Sequence, residues 1–150
     1  MPYTFGKRSL DNLETCHPDL QMIAHRVIMD SDVDFGITEG YRSLERQKEL
    51  FDMGRSTIDG VSVKGKHNYK PSLALDFYVY HPDIVTRRKL AYDKIHLAYI
   101  FGLFDATSKQ LYREGKITHL LRWGANWDRD GVIDFDQDFD DYPHIEIYAP

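Results

Sequence analysis

His67 stands in a basic, Pro-containing segment, Lys66-His67-Asn68-Tyr69-Lys70-Pro71, and the run that follows, Ser72 to Tyr80, is largely apolar with one carboxylate, Asp76. A bare Asp inside a strand is costly to bury and needs a cation or a metal as its partner. An imidazole nitrogen and a carboxylate oxygen both suit zinc. The tail, Asp141-Tyr142-Pro143-His144-Ile145-Glu146-Ile147-Tyr148, offers a third ligand in His144, which opens a short alternating stretch. Two His and one Asp leave a fourth zinc position for water, the layout of a hydrolytic site. Glu146 shares the face of His144 in a strand and could orient a ligand or bind substrate. Spacing alone also fits a satisfied core histidine and a salt-bridged aspartate, since the chain holds seven His.

A second constellation runs from Asn126 to Gln137. Oxygen side chains fall at positions 1, 3, 5 and 9 (Asn126, Asp128, Asp130, Asp134), with Gly131 at 6 and Val132 offering a backbone carbonyl at 7. This resembles the EF-hand calcium loop, except that Gln137 stands at position 12 where a bidentate Glu is usual. Asp136 or Asp138 could substitute for it. The alternative is a solvated acidic loop. Calcium, if bound, would neutralise the crowded carboxylates and fix the chain leading to Asp141 and His144.

The elements that must position these residues follow from periodicity. Asp11 to Glu14 reads as a short amphipathic helical turn. Pro18 fits the first position of a helix whose apolar residues, Leu20, Ile23, Ala24, Val27 and Ile28, recur at helical spacing up to Asp30. Phe35 to Thr38 is a strand. Ser43 is the N-cap of a helix through Met53, with Gly54 as its stop and Leu44, Gln47, Leu50 and Phe51 facing inward. Gly54 to Lys70 reads as an irregular active-site loop, and Ser72 to Tyr80 as a buried strand. One long helix after Pro82-Asp83 carries Val85, Leu90, Ile95, Leu97, Tyr99 and Ile100 on its apolar positions, with a break near Gly102; His96 belongs to it as a helix residue. Ile117 to Trp123 and Ile145 to Tyr148 are the last strands. The order predicts an α+β fold: a compact single domain with a small, mostly antiparallel sheet and helices packed around it.

Composition narrows the function. A chain of 150 residues with 42% hydrophobic and 29% charged residues is an ordinary globule able to bury a core. No apolar run is long enough for a membrane span, and the N-terminus lacks the apolar core of a signal peptide. The single Cys16 excludes an internal disulfide and a thiolate metal cluster. A net charge of −5, with acidity concentrated between Asp128 and Asp141, argues against nucleic acid as the main partner and against a basic wall-anchoring tail.

His67, then Ala74-Leu75-Asp76, then Asp141-Tyr142-Pro143-His144, resembles the Ser-x-His, Gly-x-Ala-x-Asp and Asp/Glu-x-x-His pattern of one family. These are the zinc D-Ala-D-Ala carboxypeptidases and dipeptidases, together with the phage L-alanyl-D-glutamate endopeptidases. Phe5-Gly6-Lys7, Gly40-Tyr41-Arg42-Ser43 and Trp123-Gly124-Ala125-Asn126-Trp127 fit the phage endolysin branch, so the resemblance covers nearly the whole chain. The sequence departs from the pattern at Gly65 and Ser72, where Ser and Gly are expected, and in a longer segment between His67 and Asp76.

The resemblance implies zinc on His67, Asp76 and His144, a general base at Asp141 with Asp140 as its competitor, and an oxyanion- or substrate-binding cation in Arg42. It implies a phage endolysin that hydrolyses the L-Ala-D-Glu bond of the peptidoglycan stem peptide and lyses the host. Such an enzyme is expected to be a monomeric single catalytic domain without a wall-binding domain. It would be made in the host cytoplasm and delivered to the periplasm by a separate membrane-permeabilising protein. The alternatives are a D-Ala-D-Ala carboxypeptidase and a non-catalytic wall-binding or virion module on the same fold.

Overall fold

A computed structural model of the protein describes residues 2–134 and 140–150. Its centre is a four-stranded antiparallel sheet in the order β1 (Phe35–Glu39), β2 (Ala74–Val79), β4 (Asp141–Tyr148), β3 (Leu120–Gly124). Five α-helices surround it: α1 (Lys7–Glu14), α2 (Pro18–Asp30), α3 (Leu44–Asp52), α4 (Ile84–Leu90) and α5 (Lys94–Arg113). The expected single compact α+β domain is the one found.

Strand alternation divides the sheet into two faces with different chemistry. Leu75, Phe77 and Val79 of β2, Ile145 and Ile147 of β4, Leu121 and Trp123 of β3, and Phe35 and Ile37 of β1 are all buried in one core cluster. Leu20, Ile23, Ala24 and Val27 of α2 and Leu97, Ile100, Phe104 and Leu111 of α5 complete that cluster. The opposite face of β2 carries Asp76 and Tyr78, both only half-buried. The segment expected as a buried strand is buried on its core side and half-buried at Asp76 and Tyr78, so Asp76 sits on the open side. Register then sets Asp76 directly opposite His144, and Arg122 opposite Glu146. All four lie on one face of three adjacent strands.

Two other expectations are corrected. In α3, Leu44 and Phe51 are exposed and Leu50 is half-buried, whereas the polar Gln47 is 2% exposed. That helix faces a polar network, so its buried side is set by hydrogen bonds. The single long helix after Asp83 is two helices, because Asp93 caps a new start by accepting the His96 amide at 3.1 Å. Val85 and Ile95, assigned to the apolar face, are exposed as a result. From Asp93 onward α5 runs unbroken through Gly102 to Arg113; the cost of a helical glycine, about 1 kcal/mol, is outweighed by burial of the core residues on either side.

Candidate functional site

His67 lies in a 3₁₀ turn, Lys66–Asn68, fastened on three sides. The Asn68 side chain accepts from the Gly65 amide at 2.8 Å and donates to the Arg42 carbonyl at 2.9 Å. The Arg42 amide donates to the His67 carbonyl at 2.8 Å, and the Leu73 amide to the Lys66 carbonyl at 3.0 Å. The two departures at Gly65 and Ser72 are absorbed here. Asn68 closes the turn at Gly65, and the buried Ser72 hydroxyl donates to the Ala74 carbonyl at 2.7 Å. Gly40 supplies the carbonyl that orients the His67 ring, accepting from Nδ1 at 2.7 Å. A Cβ at Gly40 would meet the Asn12 carbonyl oxygen at 2.4 Å, which gives the glycine of Gly40-Tyr41-Arg42-Ser43 a steric reason.

The structure brings His67, Asp76 and His144 together. His67 Nε2 lies 3.1 Å from Asp76 Oδ1 and 3.2 Å from His144 Nδ1, and His144 Nδ1 lies 3.3 Å from the same Asp76 oxygen. A carbonyl can only accept, so His67 Nδ1 carries the proton and Nε2 presents a lone pair. Likewise His144 Nε2 donates to the Glu146 carboxylate at 2.9 Å, leaving Nδ1 as the lone-pair atom. Three acceptors thus face one another across a triangle, an arrangement that repels itself unless a metal ion or a proton lies between them. Tetrahedral ligands about 2.0–2.1 Å from zinc are separated by about 3.3 Å, which matches these edges. Donor types, tautomers and spacing all fit a metal, and the two histidines use different ring nitrogens.

The charges around the triangle respond to the same geometry. Burial pushes the Asp76 carboxyl up, but His67 and His144 outweigh it and hold it well below the usual carboxylate range. Burial disfavours charge on His144, yet without a metal the hydrogen bonds to Asp76 and Glu146 prevail and push it up to about 9, so a metal would take the place of the proton on Nδ1. Burial also works against the Glu146 carboxylate, and the His144 and Arg122 hydrogen bonds bring it down. Arg122 reaches Glu146 Oε2 through Nη2 at 2.7 Å and Nε at 3.2 Å. Glu146 therefore fixes the His144 ring; Arg122 behind it carries no motif that marks it in the sequence.

Asp141, Arg42 and Trp127 line the same cleft of about 880 Å³. Burial and the Asp76 charge raise the Asp141 carboxyl, while His144, His67 and Arg42 draw it down less strongly. Asp140 does not line the cleft, so of the two neighbouring acids only Asp141 is presented to it. Arg42 is held by Glu39 through Nε and by the Gln47 side-chain oxygen at 2.9 Å, with Nη2 3.9 Å from Asp76 Oδ2. The guanidinium pairs with Glu39 and lies largely buried against the site. Gln47 was expected to face inward as core, and it does; its contact with Arg42 was missed because nothing in the sequence marks that partner.

The acidic loop is described only in part, since Asp136, Gln137 and Asp138 lie outside the described residues. Gly131 has a φ of 92° and permits the turn expected of position 6. Asp134 points to Lys94 Nζ at 3.5 Å, and the described carboxylates of the loop form no metal-sized cluster. Asn126 Oδ1 at position 1 is buried and has no hydrogen-bond partner among the described residues. His17, Asp19 and His119 form a second group of metal-ligand types. There Asp19 Oδ2 accepts from His119 Nδ1 at 2.7 Å and from the Thr118 amide at 3.1 Å, fastening the start of α2 to the approach to β3.

The family model for phage L-alanyl-D-glutamate peptidase matches residues 1–148. The L-alanyl-D-glutamate peptidase of Escherichia phage T5 is 30% identical over 132 residues, covering 87% of this chain and 86% of that protein. The peptidoglycan L-alanyl-D-glutamate endopeptidase CwlK of Bacillus subtilis is 31% identical over 121 residues, 77% of this chain and 61% of the relative. In fold, the chain is similar to the crystal structure of Serratia marcescens L-Ala D-Glu endopeptidase ChiX, with a TM-score of 0.71 at 21% identity over 97% of this chain and 90% of the other.

Proposed function

The chain belongs to the phage L-alanyl-D-glutamate peptidase family, and from that membership we propose that it hydrolyses the L-Ala-D-Glu bond of peptidoglycan with zinc held by His67, Asp76 and His144. The observation that carries the metal is the triangle of three lone-pair atoms with edges of 3.1, 3.2 and 3.3 Å. The relatives' activities support the endopeptidase over a D-Ala-D-Ala carboxypeptidase. An intact donor set, with both imidazoles oriented by partners, supports an enzyme over a non-catalytic module on this fold.

Bound there, zinc supplies a Lewis acid for the scissile carbonyl and eases deprotonation of water. Asp141 takes the proton of the attacking water and returns it to the departing amine. Arg42 faces the oxygen on which negative charge develops, and the Glu39 and Gln47 contacts hold it in place before substrate arrives. Glu146 fixes the tautomer of His144, and Arg122 fixes Glu146. The Trp127 ring, 5.5 Å from that of His144, screens the ligand from solvent.

Calcium in the Asn126–Gln137 loop belongs to the same proposal, supported by the orphaned Asn126 Oδ1 and the left-handed Gly131. It would order the chain into Asp141 and act as a regulator. We place the enzyme as a monomeric lysis protein made in the host cytoplasm and acting in the periplasm after the membrane is permeabilised. A digest of purified muropeptides read by mass tests the reaction. Fragments that begin at D-Glu support it, and loss of terminal D-Ala alone would replace it with a carboxypeptidase.

A further inference from the structure

The cleft carries more positive charge than the catalytic residues use. Among its cations, Arg42 is committed to Glu39 and Gln47, Arg122 to Glu146, and Arg46 to Glu49 at 2.9 Å. Arg55, Lys64 and Lys66 also line it, and none of them has a carboxylate partner among the described residues. Lys64 is held over the Tyr69 ring, 4.3 Å from its centroid. The acids of the cleft are already engaged or belong to the reaction. Asp76 faces two histidines, Glu39 and Glu146 hold arginines, and Asp141 is the base. In a protein of net charge −5, three uncompensated cations beside the metal centre are a local reversal of sign.

The segment that bears two of them is built. Buried Gln47 donates to the Ser56 hydroxyl and to the Ile58 carbonyl, each at 2.8 Å, while its oxygen accepts from Arg42. The Asp59 carboxylate turns away into its own loop, accepting from the amides of Val61 and Ser62 at 2.9 Å and of Val63 at 3.1 Å. It does not line the cleft, so it leaves the cations facing the cleft without an acid there. One side chain thus sets both the arginine of the reaction and the wall carrying Arg55 and Lys64.

We propose that Arg55, Lys64 and Lys66 form a carboxylate-binding arm that takes the leaving-group side of the substrate. This rests on the endopeptidase reading. When the amine of a D-glutamyl residue is acylated by L-Ala, the L-Ala side offers no free carboxylate. The D-glutamyl side keeps one close to the scissile bond. The arm therefore fixes which end of the peptide lies on which side of the metal, and it selects for an unmodified carboxylate. Its contribution is to binding, because that carboxylate keeps its charge throughout the reaction.

The test uses the zinc-loaded full chain, wild type and Arg55→Gln/Lys64→Gln, on a muropeptide with the D-glutamyl carboxylate free and on the same peptide with that group amidated. Both residues are exposed, so zinc content and melting temperature should match the wild type. The expected result is a rise in KM of about tenfold for the variant on the free carboxylate, carried by two exposed ion pairs. That penalty should vanish on the amidated peptide, and added salt should erode the wild-type advantage. Equal KM for both proteins on the free carboxylate, or an equal loss on the amidated peptide, overturns the arm. Titration of the same peptides into each protein, carrying Asp141→Asn in addition to suppress turnover, reads Kd. A wild type that binds carboxylate over amide but cuts neither peptide supports the arm and counts against the hydrolytic reading alone.

Discussion

Gly124 pairs with Asp141 across β3 and β4 at a register shift, and the strands approach so closely that a Cβ there would lie 2.0 Å from the Asp141 carbonyl oxygen. The Asp141 carbonyl carbon would be 2.8 Å away and its Cβ 2.9 Å. Carbon and oxygen make contact near 3.4 Å, so Gly124→Ala must drive the strands apart by about 1 Å at the residue proposed as the base. A displacement of about 1 Å at a reacting group costs roughly a hundredfold in rate. Forcing a methyl into a packed backbone costs about 1–3 kcal/mol, several degrees of melting temperature for a chain of this size. His144 is three residues further on and paired to Asp76, so the metal site should survive. The assay is kcat/KM on a muropeptide at saturating zinc, with zinc content and melting temperature on the same samples. Loss of about a hundredfold at unchanged zinc is expected. Activity within twofold of wild type in a folded, zinc-loaded variant would rule out Asp141 as a tightly positioned base, because it would then tolerate a move the geometry forbids.

Asp141→Asn should retain zinc and lose about a hundredfold or more in kcat, whereas Asp140→Asn should stay near wild type; the reverse pattern, measured in the same assay, moves the base to Asp140. Removing calcium with zinc retained should lower activity, and Asp128→Ala with Asp130→Ala should reproduce that loss; equal rates with calcium chelated and restored would show the loop to be merely acidic. Asp19→Asn should destabilise the fold by about 1–2 kcal/mol in denaturant titration at neutral pH. Burial works against the Asp19 carboxylate but His119 and the Thr118 amide outweigh it, so its folded pKa is lowered. That contribution is present above the unfolded value, about 3.9, and is lost as pH falls through the lower folded one, so the gap between wild type and variant should close in acid.

The triangle of His67, Asp76 and His144 was legible because its members stand in motifs and because strand alternation puts Asp76, His144 and Glu146 on one face once β2 and β4 pair. The pairing register itself, which sets Asp76 against His144, depends on long-range contacts that no local pattern encodes. Side chains that act through others were hidden for the same reason. Gln47, Asn68 and Arg122 are ordinary polar residues in the sequence, and each gains its role from a partner more than twenty positions away or from a loop folded back over it. Helix boundaries failed where a polar cap competed with an apolar rhythm. Asp93 starts α5 within what reads as continuous helix, and Leu44 and Phe51 keep helical spacing on a helix whose buried side is Gln47.

The proposed mechanism requires one metal ion where His67 Nε2, Asp76 Oδ1 and His144 Nδ1 converge. Elemental analysis of protein purified without chelators and dialysed against metal-free buffer tests it directly. About one zinc per chain is expected for the wild type, and much less for His67→Ala and His144→Ala in folded protein. Zinc retained at full stoichiometry in either variant, or a folded, fully active wild type without zinc, would contradict it.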